Sequence, residues 1–228
     1  QTHDWCEKNG LIYTGHGGGE ETLRAHLESF ADICEMSRYF DMPGIDIIFP
    51  YFMIDYYDFN VTPKYVSSAA RFLGRKRILS ETFTGSTWAI TLREMKRIAN
   101  RLFLFGVNYI QFMGAYYSIN NYHKSYDGAC PPSHNWQNTL FKHYDIFNKY
   151  LSSMSWLVSN TEICARALVL APYATARALG GGPDLREGGE HLGLLNVHPL
   201  KDQDLTIQGL VNALSEMHVP FEIGFEQF

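Results

Sequence analysis

The feature of this sequence that most constrains its fold is a repeated alternation of a short apolar strand with a helix. Strands are predicted at residues 11–16, 44–50, 76–83 and 107–113. Apolar residues at helical spacing predict helices at 20–40, 62–73, 92–105 and 137–158. Thr62 would cap the second helix, a capping box of Thr91 and Glu94 would open the third, and Gly74 and Gly106 would end them. Four such units in succession indicate a parallel α/β architecture. Right-handed crossovers would then bring the carboxyl ends of the strands to one side.

The pattern changes after about residue 160, and this change predicts a second domain. A buried-type strand at 165–172 precedes a Gly- and Pro-rich stretch, a helix at 205–217 and a strand at 221–225. We therefore expect one domain at 1–160 and the beginning of a second α/β domain at 161–228. Four units make only half of an eight-unit barrel, and the second domain is too small to bury a good core alone. The sequence thus predicts a longer protein, or partners that complete these units.

Composition and motifs argue against several classes of function. The net charge of −5, with no block of like charges, makes nucleic acid an unexpected partner. No apolar run approaches the length of a membrane span, so no membrane partner is expected either. The four cysteines are widely spaced without a C-x-x-C pair, which predicts buried free thiols. Neither G-x-S-x-G nor H-E-x-x-H occurs, which removes two common hydrolase classes.

The strongest candidate for chemistry is Glu81, which ends the apolar strand at 76–83. Carboxylates are almost never buried unpaired, and the carboxyl ends of barrel strands form the floor of the active site. Glu81 could act there as a nucleophile or general base. The alternatives are a structural ion pair with a nearby arginine (Arg71, Arg75 or Arg77) and a hydrogen-bonded carboxylate that orients a loop. The neighbouring Gly85 and Trp88 favour a ligand site, because Trp offers an apolar face for a sugar ring.

A histidine and two further acids lie at other strand ends. His16 precedes a Gly-rich turn and could bind a hydroxyl or assist a proton transfer. Glu20 follows that turn and could be the second catalytic carboxylate, or an acid that stabilises a helix N-terminus. Asp46 lies in the apolar second strand, where a carboxyl group needs a partner. It could orient His16, bind a sugar hydroxyl or serve as a structural acid.

Other polar and aromatic residues at strand ends, or in the long loop predicted at 114–135, are candidates for binding substrate. They are Trp88, Asn108, Gln111, Tyr116, Tyr117 and His134. Asn108 and Gln111 could instead satisfy the backbone groups of neighbouring strand ends. We expect no cofactor. A metal hydrolase built on His16, Asp46 and His134 is conceivable, yet their spacing matches no known ligand pattern. A structural calcium ion held by loop carboxylates and carbonyls would leave no spacing signal.

A set of motifs, in order and spacing, resembles the large bacterial TIM-barrel glycoside hydrolases related to α-L-rhamnosidase family 106. These enzymes are similar to the family 2-like and family 42-like glycosidases. The motifs are T-G-H-x-x-x-E at 14–20, P-G-I-D at 43–46, K-Y-V-S-S-A-A-R at 64–71, R-x-L-S-E-T-F-x-G at 77–85, L-x-E-M-K-R-I at 92–98 and G-V-N at 106–108. The resemblance covers about residues 3 to 172.

The resemblance implies that the first domain is the C-terminal part of a (β/α)8 TIM barrel, about strands five to eight, followed by the start of a flavodoxin-like domain. Glu81 would then end strand seven, where one catalytic carboxylate of such barrels lies. The partner carboxylate of the two-Glu plan would precede Gln1, and Glu20 is the visible Glu in a comparable loop position.

The implied function is hydrolysis of a glycosidic bond in a carbohydrate substrate, with a secreted or periplasmic location. The alternative is a non-catalytic carbohydrate-binding or scaffold module that keeps the barrel without the full acid pair.

Overall fold

The computed structural model describes residues 1–48, 60–120, 130–180 and 200–226 of the chain. The strands are β1 (Thr14–Gly15), β2 (Met42–Ile47), β3 (Leu79–Thr82), β4 (Tyr109–Phe112), β5 (Ala167–Ala171) and β6 (Phe221–Phe225). The α-helices are α1 (Thr2–Lys8), α2 (Leu23–Ser29), α3 (Ile33–Ser37), α4 (Val61–Phe72), α5 (Leu92–Leu104), α6 (Tyr144–Ser159), α7 (Tyr173–Gly180) and α8 (Lys201–Glu216). Parts of the predicted second strand, the long loop and the Gly- and Pro-rich stretch lie outside the described residues.

Two parallel sheets organise the described part of the chain, which confirms the predicted parallel α/β fold. One sheet has the order β1-β2-β3-β4, and the other pairs β5 with β6. Neighbours in the first sheet are joined by the helices that follow each strand. Because all its strands run the same way, their carboxyl ends lie at one edge.

The first strand is shorter than the predicted 11–16. It pairs only through Thr14 and Gly15. Just before it, the backbone N–H of Tyr13 donates 2.9 Å to the side chain of Asp41 instead of to a neighbouring strand. Leu11 and Ile12 are exposed. Of the predicted strand 11–16, only the residues near its C-terminal end therefore pair with the sheet.

The single helix predicted at 20–40 is wrong, because two short helices occupy this segment. Helix α2 ends at Ser29 with Phe30 at its C-cap, and Ala31 has a left-handed backbone with φ 70°. Asp32 then caps α3, and its carboxylate accepts from the backbone N–H groups of Cys34 and Glu35. Asp is a preferred helix-capping residue, so the break had a local signal in the sequence.

The start predicted for α4, with Thr62 as the cap, is also wrong. The helix begins at Val61, two residues before the predicted Pro63, and Asn60 stands at the cap position without a side-chain capping bond. The Asn60 amide instead donates 2.7 Å to Asn212 and accepts 2.7 Å from Arg101. The Asn60 side chain is thus engaged in tertiary hydrogen bonds and does not cap the helix. The predicted end is confirmed, since Gly74 adopts φ 69° just beyond it.

The later helices follow their patterns with shifted starts. The helix predicted at 137–158 begins with a 3-10 turn, Phe141–His143, that leads into α6. Helix α8 begins four residues before the predicted 205, and β6 has the predicted bounds. Helices α1 and α7 were not predicted. Among the described residues, no helix combines the length and apolar character needed to cross a membrane.

The capping box predicted at the start of α5 is present. The Thr91 hydroxyl accepts from the N–H of Glu94 at 3.2 Å, and the Glu94 carboxylate accepts from the N–H of Thr91 at 2.7 Å. Thr91→Ala is expected to destabilise the protein by about 1 kcal/mol, because N–H groups of the first turn lose their acceptor. Urea denaturation of the two proteins measures this difference, and equal unfolding midpoints would contradict it.

Candidate active site

The carboxyl edge of the four-stranded sheet carries a row of polar side chains. Asp46 on β2, Glu81 on β3 and Gln111 on β4 are paired in register. Residues paired across parallel strands face the same side of a sheet. Glu81 keeps 27% of its side chain exposed, and Gln111 is exposed. The sheet therefore presents two carboxyl groups and an amide together.

His16, directly after β1, joins this row by bridging two glutamates. Its Nε2 lies 3.0 Å from Oε2 of Glu81, and its Nδ1 lies 3.0 Å from Oε1 of Glu20. The same Glu20 oxygen accepts from the backbone N–H of Gly18 at 2.6 Å. The imidazole is thus held from both sides, with one carboxylate on each nitrogen.

The Gly-rich turn makes this bridge possible. Gly18 and Gly19 adopt φ 76° and 85°, a left-handed region that glycine enters readily. A Cβ on Gly17 would meet the Phe30 ring at 2.4 Å. The turn brings the Glu20 side chain back to His16, and Glu20 is fully buried there. Glu20 therefore reaches the sheet edge through His16 and not directly.

The electrostatics of the site favour a charged imidazole. The hydrogen bond that His16 donates to Glu20 is the largest of the causes that raise the pKa of His16 to about 9, and the charges of Glu20 and Asp46 act in the same direction. Burial is the largest cause that raises the pKa of Asp46, to about 7, with Glu81 and Glu20 contributing and His16 opposing. Near neutral pH the site thus contains an imidazolium beside an Asp46 carboxyl group that is about half protonated.

We expect the His16 ring to titrate near pH 9 in NMR spectra, and Glu20→Gln to lower that midpoint by removing the largest cause of the shift. His134 serves as an internal contrast, since burial lowers its pKa to about 4. Because the folded state binds the His16 proton more tightly than the unfolded chain, the bridge stabilises the fold fully below pH 6.5 and loses this effect as pH rises through about 9. A His16 midpoint unmoved by Glu20→Gln would contradict this account.

The arginine alternative for Glu81 is excluded by the partners that the structure assigns. Each of the three arginines contacts another residue: Glu222 for Arg71, Asp41 for Arg75 and Ser159 for Arg77. The helix-terminus alternative for Glu20 also fails, because α2 begins only at Leu23 and Thr22 caps it. Both glutamates instead meet at His16.

The backbone after Glu81 is strained. Phe83 has φ 76°, in a region that side-chain-bearing residues seldom adopt, and it is fully buried. Its ring packs against Phe112 and Phe147, which helps to hold this conformation. Thr87, later in the same turn, has φ 65°. Such strain concentrates at functional sites, where packing fixes an otherwise unfavourable geometry.

The remaining predicted site residues do not all reach this edge. Asn108 precedes β4, at the opposite end of the sheet, where its amide bonds to the backbone of Ile78 and Lys76 at 2.9 and 2.8 Å. It therefore satisfies strand ends, the alternative left open for it. Gln111 is in the row, but its amide donates 3.3 Å to the carbonyl of Phe112.

The loop residues divide into buried supports and exposed aromatics. His134 is buried, contacts the Tyr144 hydroxyl at 2.7 Å and packs on Phe112, so it supports the fold. The Tyr116 hydroxyl donates 3.1 Å to the Cys130 carbonyl. Trp88 and Tyr117 are 53% and 82% exposed, as a surface that stacks on sugar rings requires.

One neighbour of the site was not singled out from the sequence. The charge of Asp46 contributes to the raised pKa of the Cys130 thiol, after burial as the largest cause. No spacing signal marks this cysteine. All four cysteines are free, as predicted, but Cys164 is exposed and Cys6 partly so, which corrects the expectation of burial. Among the described residues, no group of three or more His, Cys, Asp or Glu has the geometry of a metal site.

Of the comparisons with known proteins, the one with solved structures finds a similarity. No protein-family model matches the chain, and no curated protein sequence matches it. Among solved structures, it resembles the rhamnosidase from Novosphingobium sp. PP1Y, with a TM-score of 0.58 and 17% identity over 74% of this chain. The chain spans only 16% of the length of that structure. At this identity the likeness concerns the fold alone, an α/β arrangement like that of part of a glycosidase.

Proposed function

We propose that this chain contributes the second half of the catalytic barrel of a glycoside hydrolase, with Glu81 as a catalytic carboxylate. One observation carries the proposal: the partly exposed Glu81 carboxylate lies at the carboxyl ends of parallel strands. It is 3.0 Å from His16, whose other ring nitrogen contacts Glu20. In such folds this edge is where active sites are built. The fold likeness to a rhamnosidase supports the same class and makes a rhamnoside the proposed substrate.

Glycosidic bond hydrolysis needs two carboxyl groups with different tasks. One protonates the leaving oxygen, and the other activates water or attacks the anomeric carbon. His16 contacts Oε2 of Glu81, which leaves Oε1 to face the water or the sugar. An imidazolium there keeps the carboxylate oriented and stabilises its negative charge. Trp88 and Tyr117 would supply stacking surfaces for the sugar rings.

The barrel and the domain division are part of this proposal. The four-stranded sheet would correspond to strands five to eight of a TIM barrel, and β5 with β6 would begin a flavodoxin-like domain from about residue 161. The strand order and the common direction of the strands are compatible with part of a TIM barrel and with the start of a flavodoxin-like domain. A secreted or periplasmic location and a carbohydrate partner follow from the same proposal.

The experiment is a panel of aryl glycosides, including aryl α-L-rhamnosides, offered to the protein in its natural full length and to its Glu81→Gln variant. Release of the aryl alcohol that depends on Glu81 supports the proposal. Sugar binding without turnover would instead favour a non-catalytic carbohydrate-binding module. Turnover that requires a metal ion and survives the loss of the Glu81 charge would favour a metal-dependent hydrolase.

A further inference from the structure

Three carboxyl groups surround one imidazole in the His16 cluster, which we define as His16, Glu20, Asp46 and Glu81. His16 contacts both glutamates at 3.0 Å, and Asp46 is the register partner of Glu81. Neighbouring strands lie about 4.8 Å apart, so these two carboxyl groups are close. Three negative charges beside one positive charge are unfavourable in a partly buried site. One carboxyl group of the cluster is therefore expected to keep a proton.

The hydrogen bonds indicate which group keeps it. Glu20 and Glu81 each bond to a nitrogen of the imidazole. Among the described residues, the hydrogen bond to the Asp46 carboxyl comes from the backbone N–H of Ile48, 3.0 Å from Oδ1. Asp46 thus lacks the direct contact with the cation that both glutamates have. It is also half-buried, so a sugar at the sheet edge could still reach its second oxygen.

We propose, building on the glycosidase function, that Asp46 is the acid that works with Glu81 and that it protonates the leaving glycosidic oxygen. This assignment gives the second catalytic role to Asp46 instead of Glu20. Glu20 is fully buried behind His16 and acts as a positioning residue.

The net effect of the surroundings on Asp46 is in the direction that this role requires. Burial is the largest cause that raises the pKa of Asp46, to about 7, and the charges of Glu81 on β3 and Glu20 after β1 also raise it. The charge of His16 and the hydrogen bond from the N–H of Ile48 lower it. From the segment after β4, the Cys130 thiol faces the same carboxyl group, and its own pKa is raised by burial and by Asp46. A protonated carboxyl group near neutral pH is what a general acid needs.

The reaction balances with these groups and water. Asp46 transfers its proton to the glycosidic oxygen, the bond from the anomeric carbon to that oxygen breaks, and its electron pair leaves with the alcohol. At the same time a Glu81 oxygen bonds to the anomeric carbon, as suits two carboxyl groups on neighbouring strands about 5 Å apart. Water then attacks the anomeric carbon, gives its proton to the Asp46 carboxylate and displaces Glu81, which restores both carboxyl groups. The net change is one glycoside and one water converted to one sugar and one alcohol.

The first test reads the proton directly and needs no substrate. Carbon-13 NMR of the Asp46 carboxyl group is expected to show a midpoint near pH 7. Glu81→Gln should lower that midpoint, because it removes a neighbouring negative charge. An Asp46 midpoint close to the ordinary 3.8, or one that Glu81→Gln leaves unmoved, would overturn the inference even if Glu81 proves to be catalytic.

The second test compares leaving groups. Asp46→Asn is expected to slow hydrolysis of an alkyl glycoside by about 10²–10⁴-fold. A dinitrophenyl glycoside, whose alcohol leaves without a proton, should lose about 10-fold or less in the same variant. Glu81→Gln should slow both substrates alike. Asp145→Asn, an exposed change at the start of α6, is the matched control and should leave both rates unchanged.

The two proposals fail in different ways. Equal losses on both leaving groups in Asp46→Asn, with turnover still dependent on Glu81, would overturn the role of Asp46 alone. Turnover that is indifferent to Glu81→Gln would overturn the glycosidase mechanism, and the NMR midpoint would still decide where the proton lies.

Discussion

Replacement of Glu81 by glutamine is expected to lower glycoside turnover by about 10²–10⁴-fold, because the amide can neither attack the anomeric carbon nor accept a proton from water. The change keeps the shape of the side chain, and its oxygen can still accept a hydrogen bond from His16, now 3.0 Å from Oε2. Substrate binding should therefore persist. Initial rates at saturating substrate, together with a direct binding measurement, separate the loss of chemistry from a loss of affinity.

A matched control distinguishes this effect from a general loss of charge. Glu28→Gln removes a carboxylate from an exposed pair with Arg24 on α2, away from the sheet edge. It should leave turnover unchanged and shift stability by less than about 0.5 kcal/mol. If Glu81→Gln and Glu28→Gln behave alike in the assay, Glu81 has no part in the chemistry.

Local sequence signals predicted much of the fold, because strands and helices with one buried face are specified by spacing alone. The capping box of α5, the glycine that ends α4 and the bounds of β6 depend on adjacent residues. One error, the single helix predicted at 20–40, overlooked the local capping signal of Asp32. Another arose where a distant contact replaced a local one. Asn60 does not cap α4 because Asn212 and Arg101 bind its side chain.

The candidate site was predicted residue by residue but not as an arrangement. Strand ends marked His16, Asp46 and Glu81, yet His16 and Glu81 are 65 residues apart in sequence and their hydrogen bond follows only from the parallel register. The roles assigned to Glu20 and Asp46 needed burial, which a strand-end position does not reveal. Asn108 was misplaced because a polar residue near either end of an apolar strand gives the same pattern.

Replacement of Glu222 is expected to cause a large loss of stability, because this carboxylate joins β6 of the second sheet to helix α4 through buried charges. On β6, it accepts hydrogen bonds from Lys64 at 2.9 Å and from the Ser68 hydroxyl at 2.5 Å, and it forms an ion pair with Arg71 at 2.8 Å. All three partners are on α4. Lys64 is only 3% exposed, and burial is the largest cause that lowers its pKa, to about 8. Removing the carboxylate leaves that cation in an apolar setting without its counter-charge.

The expected loss for Glu222→Met is about 3–5 kcal/mol in urea denaturation, the range found when one partner of a buried ion pair is removed. Glu222→Met combined with Lys64→Met should recover part of it, since two apolar side chains leave no unpaired buried charge there, and Arg71, 30% exposed, can contact water. Glu216→Gln, an exposed change on α8, should stay within about 0.5 kcal/mol. A double variant less stable than the single one would mean that the pair contributes more through its own attraction than it costs in desolvation. A single variant as stable as the unaltered protein would show that Glu222 does not hold β6 against α4.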